Sequence, residues 1–354
     1  MDKRSCRWVV VVSVVLLAWG ASGAVWAEMQ LQNWSIAADS TYGYGALQGT
    51  VTDLGGGNVI TNLFDGEAQT MIRGVGATAQ PYANVTWTAG KGIKRIWLQH
   101  GNGAYPGEGY KFQTWNGASW TDIPGAGRTT NDYAPMTQIF TSFAVDVPGS
   151  LGIRYQETQD NPGTSPYLGG WIMRLDDIYL WNRDVEDGTV NLTAAPDLTV
   201  TGLHFNAYLS TTIRDRDPFS GQDLIVTTNQ VVGPDPSFDP AEEIFFTWTT
   251  PKWVEGVYYL PRYTSYRQMS NITVYVQTSV GGWDQVGGPV TIPKTLGSIR
   301  IQKLDFGSAR KTKSVRVTFG KPAPNGMPNS SYVELSEIII SAGTAPRGTM
   351  ILLR

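Results

Sequence analysis

The sequence predicts an all-β protein built from two consecutive β-sandwiches of the jelly-roll kind. Three observations lead there. First, the chain repeats itself: Trp87 and Trp248 lie 161 residues apart, Trp120 and Trp283 163, Arg154 and Arg316 162, and Leu175 and Leu335 160. Four anchors near one spacing mark a duplicated unit. Second, 40 glycines and 13 tryptophans accompany only 16% charged residues, the composition of short aromatic strands joined by glycine turns. Third, no stretch of a dozen residues carries a helical period, whereas alternation of apolar and polar residues recurs throughout.

The chain opens on a leader, residues 1–27. MDKRSCR is basic, WVVVVSVVLLAW is apolar, and Val25-Trp26-Ala27 forms a small-residue cleavage site before Glu28. The other reading, an uncleaved anchor, needs a longer apolar run. No later segment is apolar enough to enter a membrane. The mature chain is therefore expected to be secreted or held at the cell surface. Its one cysteine, Cys6, falls in the leader, so the mature protein forms no disulfide and relies on core packing, as suits a bacterial exported protein. A formal charge of −3 argues against nucleic acid as a partner.

The first sandwich, 28–182, carries strand patterns at 83–88, 93–99, 110–115, 140–147, 152–156 and 172–181. The second, 198–342, carries them at 244–249, 254–260, 272–278, 298–306, 314–319 and 332–341. Most alternate apolar with polar residues, so that one face is buried. Long loops rich in Gly, Pro, Asn and Ser occupy 101–109, 160–170, 233–240 and 322–331. Residues 183–197 are polar and unpatterned and read as a linker; 343–354 form a C-terminal tail. Within the linker, Asp184–Asn191 (DVEDGTVN) has the look of a calcium loop. It is one residue short before its glycine and lacks the later acid and the flanking helices, so it reads as linker.

The order of these elements resembles the discoidin fold: the factor V/VIII type C domain and the related family-32 carbohydrate-binding modules, of galactose-binding-like architecture. In the second half, Val257–Arg262 (VYYLPR) resembles the strand ending in Pro-Arg. ITVYVQT at 272–278 with Gly281-Gly282-Trp283 resembles the following hairpin, Ser314–Val317 (SVRV) the arginine-bearing strand, and LSEI at 335–338 the closing strand. In the first half, Asn62–Glu67 (NLFDGE) with Thr70 resembles an early turn, and 111–120 and 154–181 supply the later elements. The resemblance spans about 35–182 and 198–342.

That resemblance implies ligand binding on loops at one end of each sandwich, with an arginine after the Pro contacting sugar hydroxyls. Arg262 holds that position, with Tyr263, Tyr266 and Arg267 in the same loop. Aromatic faces stack on apolar C–H patches while a guanidinium donates to vicinal hydroxyls. The family's Asn five residues on is replaced by Arg267, and the loop 322–331 lacks the late aromatic, so a galactose-type ligand is not implied. The first half offers His100, Asn102 and Tyr105, with Tyr167 and Trp171. The resemblance also implies structural Ca2+, held by Asp65, Thr70 and Asp177 in the first half and by Glu337 in the second.

The catalytic inventory is poor. His100 and His204 are the only histidines, no nucleophile motif occurs, and the pairs Asp176/Asp177 and Glu242/Glu243 are adjacent residues that point to opposite faces of a strand. The expectation is a non-catalytic protein that binds extracellular glycan or surface polysaccharide. The alternatives left open are a self-associating structural or adhesive surface component, and accessory modules of a larger secreted carbohydrate-active enzyme.

Overall fold

The computed structural model describes residues 30–45, 63–64, 72–77, 80–100, 109–129, 139–158, 171–202, 242–261, 270–290, 302–320 and 335–345. Among them, strands dominate. The first half contains β1 (Thr41–Gly45), β2 (Ile72–Ala77), β3 (Tyr82–His100), β4 (Tyr110–Trp115), β5 (Trp120–Arg128), β6 (Ile139–Glu157) and β7 (Trp171–Trp181). The second contains β8 (Leu198–Gly202), β9 (Glu242–Pro261), β10 (Ser270–Gln277), β11 (Trp283–Val290), β12 (Gln302–Gly320) and β13 (Leu335–Ala342). The all-β tandem expected from the sequence is the architecture adopted. No described helix is long and apolar enough to cross a membrane.

Each half is one antiparallel sheet folded over on itself. In the first, the order is β2-β7-β3-β6-β4-β5, with β1 also on β3; in the second it is β11-β10-β12-β9-β13, with β8 also on β9. The long strands β3 and β6 pair from Tyr82↔Gln156 to His100↔Ile139, with register shifts between Thr86 and Arg95. At those shifts the ribbon bends. Gly149 takes a φ of 64°, and a Cβ on Gly90 would sit 2.8 Å from the Gly149 carbonyl, so the turn needs glycine at both places. Beyond the bend the strand returns over the core. Phe143, near the start of β6, meets Phe112 and Tyr110 at ring separations of 5.8 and 6.3 Å, while β4 pairs Phe112 with Tyr155 near the end of β6.

The result is two layers, β1–β3–β6–β4–β5 and β2–β7–β3–β6, which share the bent ribbon. Their common core holds Ala83, Val85 and Trp87 from before the bend and Ile96 and Leu98 from after it. Inward positions are odd-numbered before the bend and even-numbered after it, the shift in face that bulged residues produce. The second half repeats this with β9 and β12, burying Ile244, Phe246 and Trp248 and then Val257 and Tyr259. The sequence expectation of separate strands at 83–88 and 93–99, and at 140–147 and 152–156, is corrected. Glycine at the bend alters direction without ending the ladder, so each pair is one strand. Strands β5 and β11, absent from the expected strands, carry proline and glycine, which edge strands tolerate.

The expected linker is not a free connector. Val185 is fully buried and Leu192 nearly so. Its acids are engaged: Asp184 takes both Nε and Nη2 of Arg95 at 2.9 and 2.7 Å, and Glu186 pairs with Arg95 at 3.2 Å and accepts from Ser142. The second copy of the repeat begins inside this segment. Asn33 and Asn191 each cap a 3-10 turn, Trp34–Ile36 and Leu192–Ala194, by accepting from the backbone N–H two residues on (3.1 Å in both). Trp87 and Trp248 each donate their indole N–H to the first residue of that turn, Trp34 or Leu192, at 3.0 Å. Asp39 and Asp197 accept from Thr88 and Thr249 and pair with Lys91 and Lys252, both at 3.1 Å. An N-x-(S/T)-x-A-x-D pattern carries this unit in both halves.

A third core joins the sandwiches. Trp97, Tyr179 and Trp181 on the outer face of the first pack with Tyr258, Leu260 and Ile339 on the outer face of the second, together with Leu31, Val185 and Val190. Trp181 meets Tyr258 edge to face at 5.3 Å. The segment at Leu31 clamps both: its N–H donates to Glu255 (3.1 Å), and its carbonyl accepts from the Tyr258 hydroxyl (2.5 Å). Burial pushes the Glu255 carboxyl above its usual value, the Leu31 N–H and Arg183 opposing, and pushes the Tyr258 hydroxyl far up.

Two outcomes follow. Trp181→Ala should cost about 3–5 kcal/mol, read from equilibrium denaturation; a loss below about 1 kcal/mol would mean that this core does not couple the halves. Glu255 has a folded pKa raised above its unfolded one, so its contribution is full below the ordinary carboxylate range and is lost as pH rises through the folded value. Glu255→Gln keeps an acceptor for Leu31 and removes that loss. The melting-temperature difference, variant minus parent, should therefore grow as pH rises from about 4.5 towards neutrality, and a flat difference would contradict the assignment.

Candidate functional site

The folded ribbon decides where the chain is free to elaborate. At the bend end the connections are tight: 116–119 between β4 and β5, and 278–282 between β10 and β11. Gly117 and Gly281, with φ of 97° and 88°, make these turns. At the opposite end the strand termini gather. In the first sandwich Gly45 pairs with Tyr82, Tyr110 with both Arg128 and Glu157, Ala77 with Trp171, and His100 with both Ile139 and Leu175. In the second, Gly202 pairs with Ile244, Ser270 with Gly320, and Pro261 with Leu335. The long connections within each sandwich leave from this one end. A rigid scaffold bearing loops at a single end is the usual arrangement of a binding site.

The sequence-derived candidates belong to this end by chain position. His100 is the last residue of β3 and Trp171 the first of β7. Pro261, the last residue of β9, immediately precedes Arg262. Arg262, Tyr263, Tyr266, Arg267, Asn102, Tyr105, Tyr167, Asp65 and Thr70 lie outside the described residues, as does the leader. Asp177 in β7 and Glu337 in β13 occupy matching positions, each two residues after the repeat leucine Leu175 or Leu335, and both are fully buried. The Asp177 carboxylate accepts from the N–H of Ile178 at 2.9 Å. Among the described residues no three His, Cys, Asp or Glu side chains cluster as a metal site would require. Of the paired acids, Glu243 forms an ion pair with Arg316.

A second feature was not singled out from the sequence. On the outer face of the layer containing β4 and β5, Arg154 lies between two rings, its guanidinium carbon 4.2 Å from the Trp120 centroid and 4.9 Å from that of Tyr82. Trp115 adjoins Trp120 at 5.2 Å. Pairing sets Asn84, Arg154, Gln113 and Asp122 in one row across four strands, next to a row containing Gly152, Trp115 and Trp120. Asp122 is held by Lys111 (2.9 Å) and by the Gln113 amide (2.7 Å), and these bonds keep its carboxyl below the usual range. Burial lowers the Arg154 guanidinium, which remains a cation at neutral pH.

The second sandwich repeats the arginine but not its surroundings. Arg316 lies 4.2 Å from the Tyr275 ring and 4.9 Å from Trp283, and it is paired with Glu243 at 3.2 Å. Phe245 and Tyr275 stand where the first sandwich has Asn84 and Gln113, and Glu243 stands where it has Tyr82. Arg154 and Arg316, Trp120 and Trp283 were legible as repeat anchors. Their convergence on one outer face required the strand pairing.

No family profile and no curated protein sequence matches the chain. Among solved structures, it is similar to a fucolectin from striped bass serum (10% identity, TM-score 0.32, covering 88% of this chain and 99% of that one). It is also similar to the two-domain CBM32-1 and CBM32-2 portion of ZmpB from Clostridium perfringens (11% identity, TM-score 0.30, covering 89% and 93%). A family-32 module of NanJ from C. perfringens, solved with galactose, covers 43% of this chain and 98% of itself at 12% identity and a TM-score of 0.31. Likeness at this level assigns no ligand and no residue role.

Proposed function

We propose that the chain is an exported, non-catalytic glycan-binding protein, found in the medium or at the cell surface, whose ligands meet the loop-bearing ends of its two sandwiches. The single observation that supports this most is the departure of the long connections from one end of each folded sheet. On those connections or at their strand ends the sequence concentrates Arg262, Tyr263, Tyr266 and Arg267 in one half, and His100, Asn102, Tyr105 and Trp171 in the other. Rings to stack on a pyranose and cations to bond its hydroxyls are the chemistry of sugar recognition. Sugars bury little area, so each site is weak, and two sites on one body act through avidity. The test is a glycan screen of the whole chain and of Arg262→Ala. The variant should lose about tenfold or more in affinity for whichever neutral glycan the parent binds, and a parent that binds none overturns the reading.

A structural calcium ion belongs to the same proposal. A carboxylate fully buried at the same place in both repeats is stabilised by donors or by a hard cation. Asp177 with Asp65 and Thr70 would hold such an ion in the first half, and Glu337 would take part in the second. Added calcium should raise the melting temperature by several degrees, since an ion bound only to the folded state stabilises it. Asp177→Asn should abolish the part of that rise due to the first half. An unchanged melting curve with calcium and with chelator removes the ion from the proposal.

The inter-sandwich core supports a second reading, a structural or adhesive surface component, because it packs the two modules against each other. Homotypic assembly that neither sugars nor Arg262→Ala disturbs would favour it.

A further inference from the structure

We propose that the outer face of the β1–β3–β6–β4–β5 layer in the first sandwich is a separate binding surface for an acidic glycan, on which Arg154 receives the carboxylate of a hexuronate sugar and Trp115 and Trp120 carry its ring.

The argument rests on the difference between two copies of one arrangement. In both, an arginine on the second long strand lies between aromatic rings on an outer sheet face. In the second sandwich its charge is met by Glu243, and the rings of Phe245, Tyr275 and Trp283 surround it. The charge of Arg316 is thus matched within the fold. In the first sandwich the position of Glu243 is taken by Tyr82, and Arg154 makes no ion pair among the described residues. The one acid in its row, Asp122, is already matched by Lys111. Counted with Lys111, the patch holds two cations, Arg154 and Lys111, against the one carboxylate of Asp122, and so carries a net positive charge. A partly desolvated cation without a counter-charge is costly, and an incoming carboxylate relieves that cost through charge-assisted hydrogen bonds to the guanidinium.

The rest of the face fits a sugar rather than a bare anion. Asn84 and Gln113 flank Arg154 in register and supply amides. Gln113 is 7% exposed, and its Oε1 carries no hydrogen bond among the described residues, whereas the orphaned Nε of Arg154 is shared by Arg316 and does not set the first copy apart. Gly43 opposite Asn84 and Gly152 beside Trp115 keep the surface low around the rings. Trp115 and Trp120, 5.2 Å apart and partly exposed, present indole surface for C–H stacking next to the charge. Ring, amide and unmatched guanidinium in adjacent rows match a pyranose bearing a carboxylate.

The experiment uses the full chain in titrations with hexagalacturonate and hexamannuronate, each beside its neutral methyl ester. The parent should bind at least one acid form about tenfold or more tightly than its ester. Arg154→Gln should abolish that preference, Arg316→Gln should leave it intact, and Trp115→Ala should weaken acid and ester alike. Arg262→Ala, which tests the loop end, should leave all of these results unchanged, so the two sites succeed or fail independently. Failure of the parent to bind either acid, equal affinity for acid and ester, or an acid preference that survives Arg154→Gln would overturn the proposal. If Arg154→Gln does not fold, Trp115→Ala decides: unchanged affinity rejects the surface, and a parallel loss in acid and ester supports it.

Discussion

Each sandwich depends on one constraint: a two-stranded ribbon of 19- and 20-residue strands that must double back over its own core without losing its ladder. A straight ribbon of that length would leave one face in water. Bending it at glycines, with bulged residues to change the facing parity, lets both arms present apolar side chains to a common interior. Everything else attaches to this ribbon. Strands β1, β4 and β5 flank one arm, β2 and β7 the other, and the bend fills one end of the sandwich. Apart from the tight β4–β5 and β10–β11 turns, the connections within each sandwich leave from the opposite end. The concentration of loops there is thus a consequence of the fold.

The tryptophan–asparagine unit secures the ribbon to what precedes it. Trp87 and Trp248 lie on the arm before the bend, and each indole N–H finds its acceptor in a 3-10 turn capped by Asn33 or Asn191. A buried indole without an acceptor is costly, so ring and turn require one another. In the second copy that turn forms part of the connector, which is why the connector cannot be loose. Its buried Val185 and Val190 feed the core between the sandwiches, and its acids close on Arg95 of the first. The segment at Leu31 completes the joint from the other side through Glu255 and Tyr258. The way the two halves meet is set by the packing of this third core.

Much of this was legible in the sequence because strands declare themselves by alternation, and the duplication could be read from tryptophans, arginines and leucines at one spacing. What stayed hidden has physical causes. Residues 183–197 look polar, yet their role is carried by four buried apolar side chains, Val185, Val190, Leu192 and Ala195, and a capping Asn, too few to register as a pattern. The bends at Gly90 and Gly149 read as strand breaks, because a local window cannot see that the partner bends with them. Strands β5 and β11 carry prolines and glycines and are held on one side only. The Arg154 face is the clearest case. Its members come from β3, β4, β5 and β6, and no one-dimensional spacing brings Tyr82, Trp120 and Arg154 together.

Duplication therefore preserved different things on different surfaces. Inside, the two copies agree nearly residue for residue: Trp87 and Trp248, Val85 and Phe246, Leu98 and Tyr259 all serve as core. On the outer face they agree on one arginine and one tryptophan and on little else. Glu243 neutralises Arg316, and the aromatic residues Phe245 and Tyr275 crowd it, so the second copy needs no counter-charge from solution. Tyr82, Asn84 and Gln113 around Arg154 replace that acid and those rings with hydrogen-bonding groups and no carboxylate. A purely structural arginine gains nothing from losing its counter-ion, because desolvation of the guanidinium is then offset only by ring contacts worth about 1–2 kcal/mol. The asymmetry between two copies of one scaffold is most simply understood if one arginine is matched within the fold and the other by a ligand.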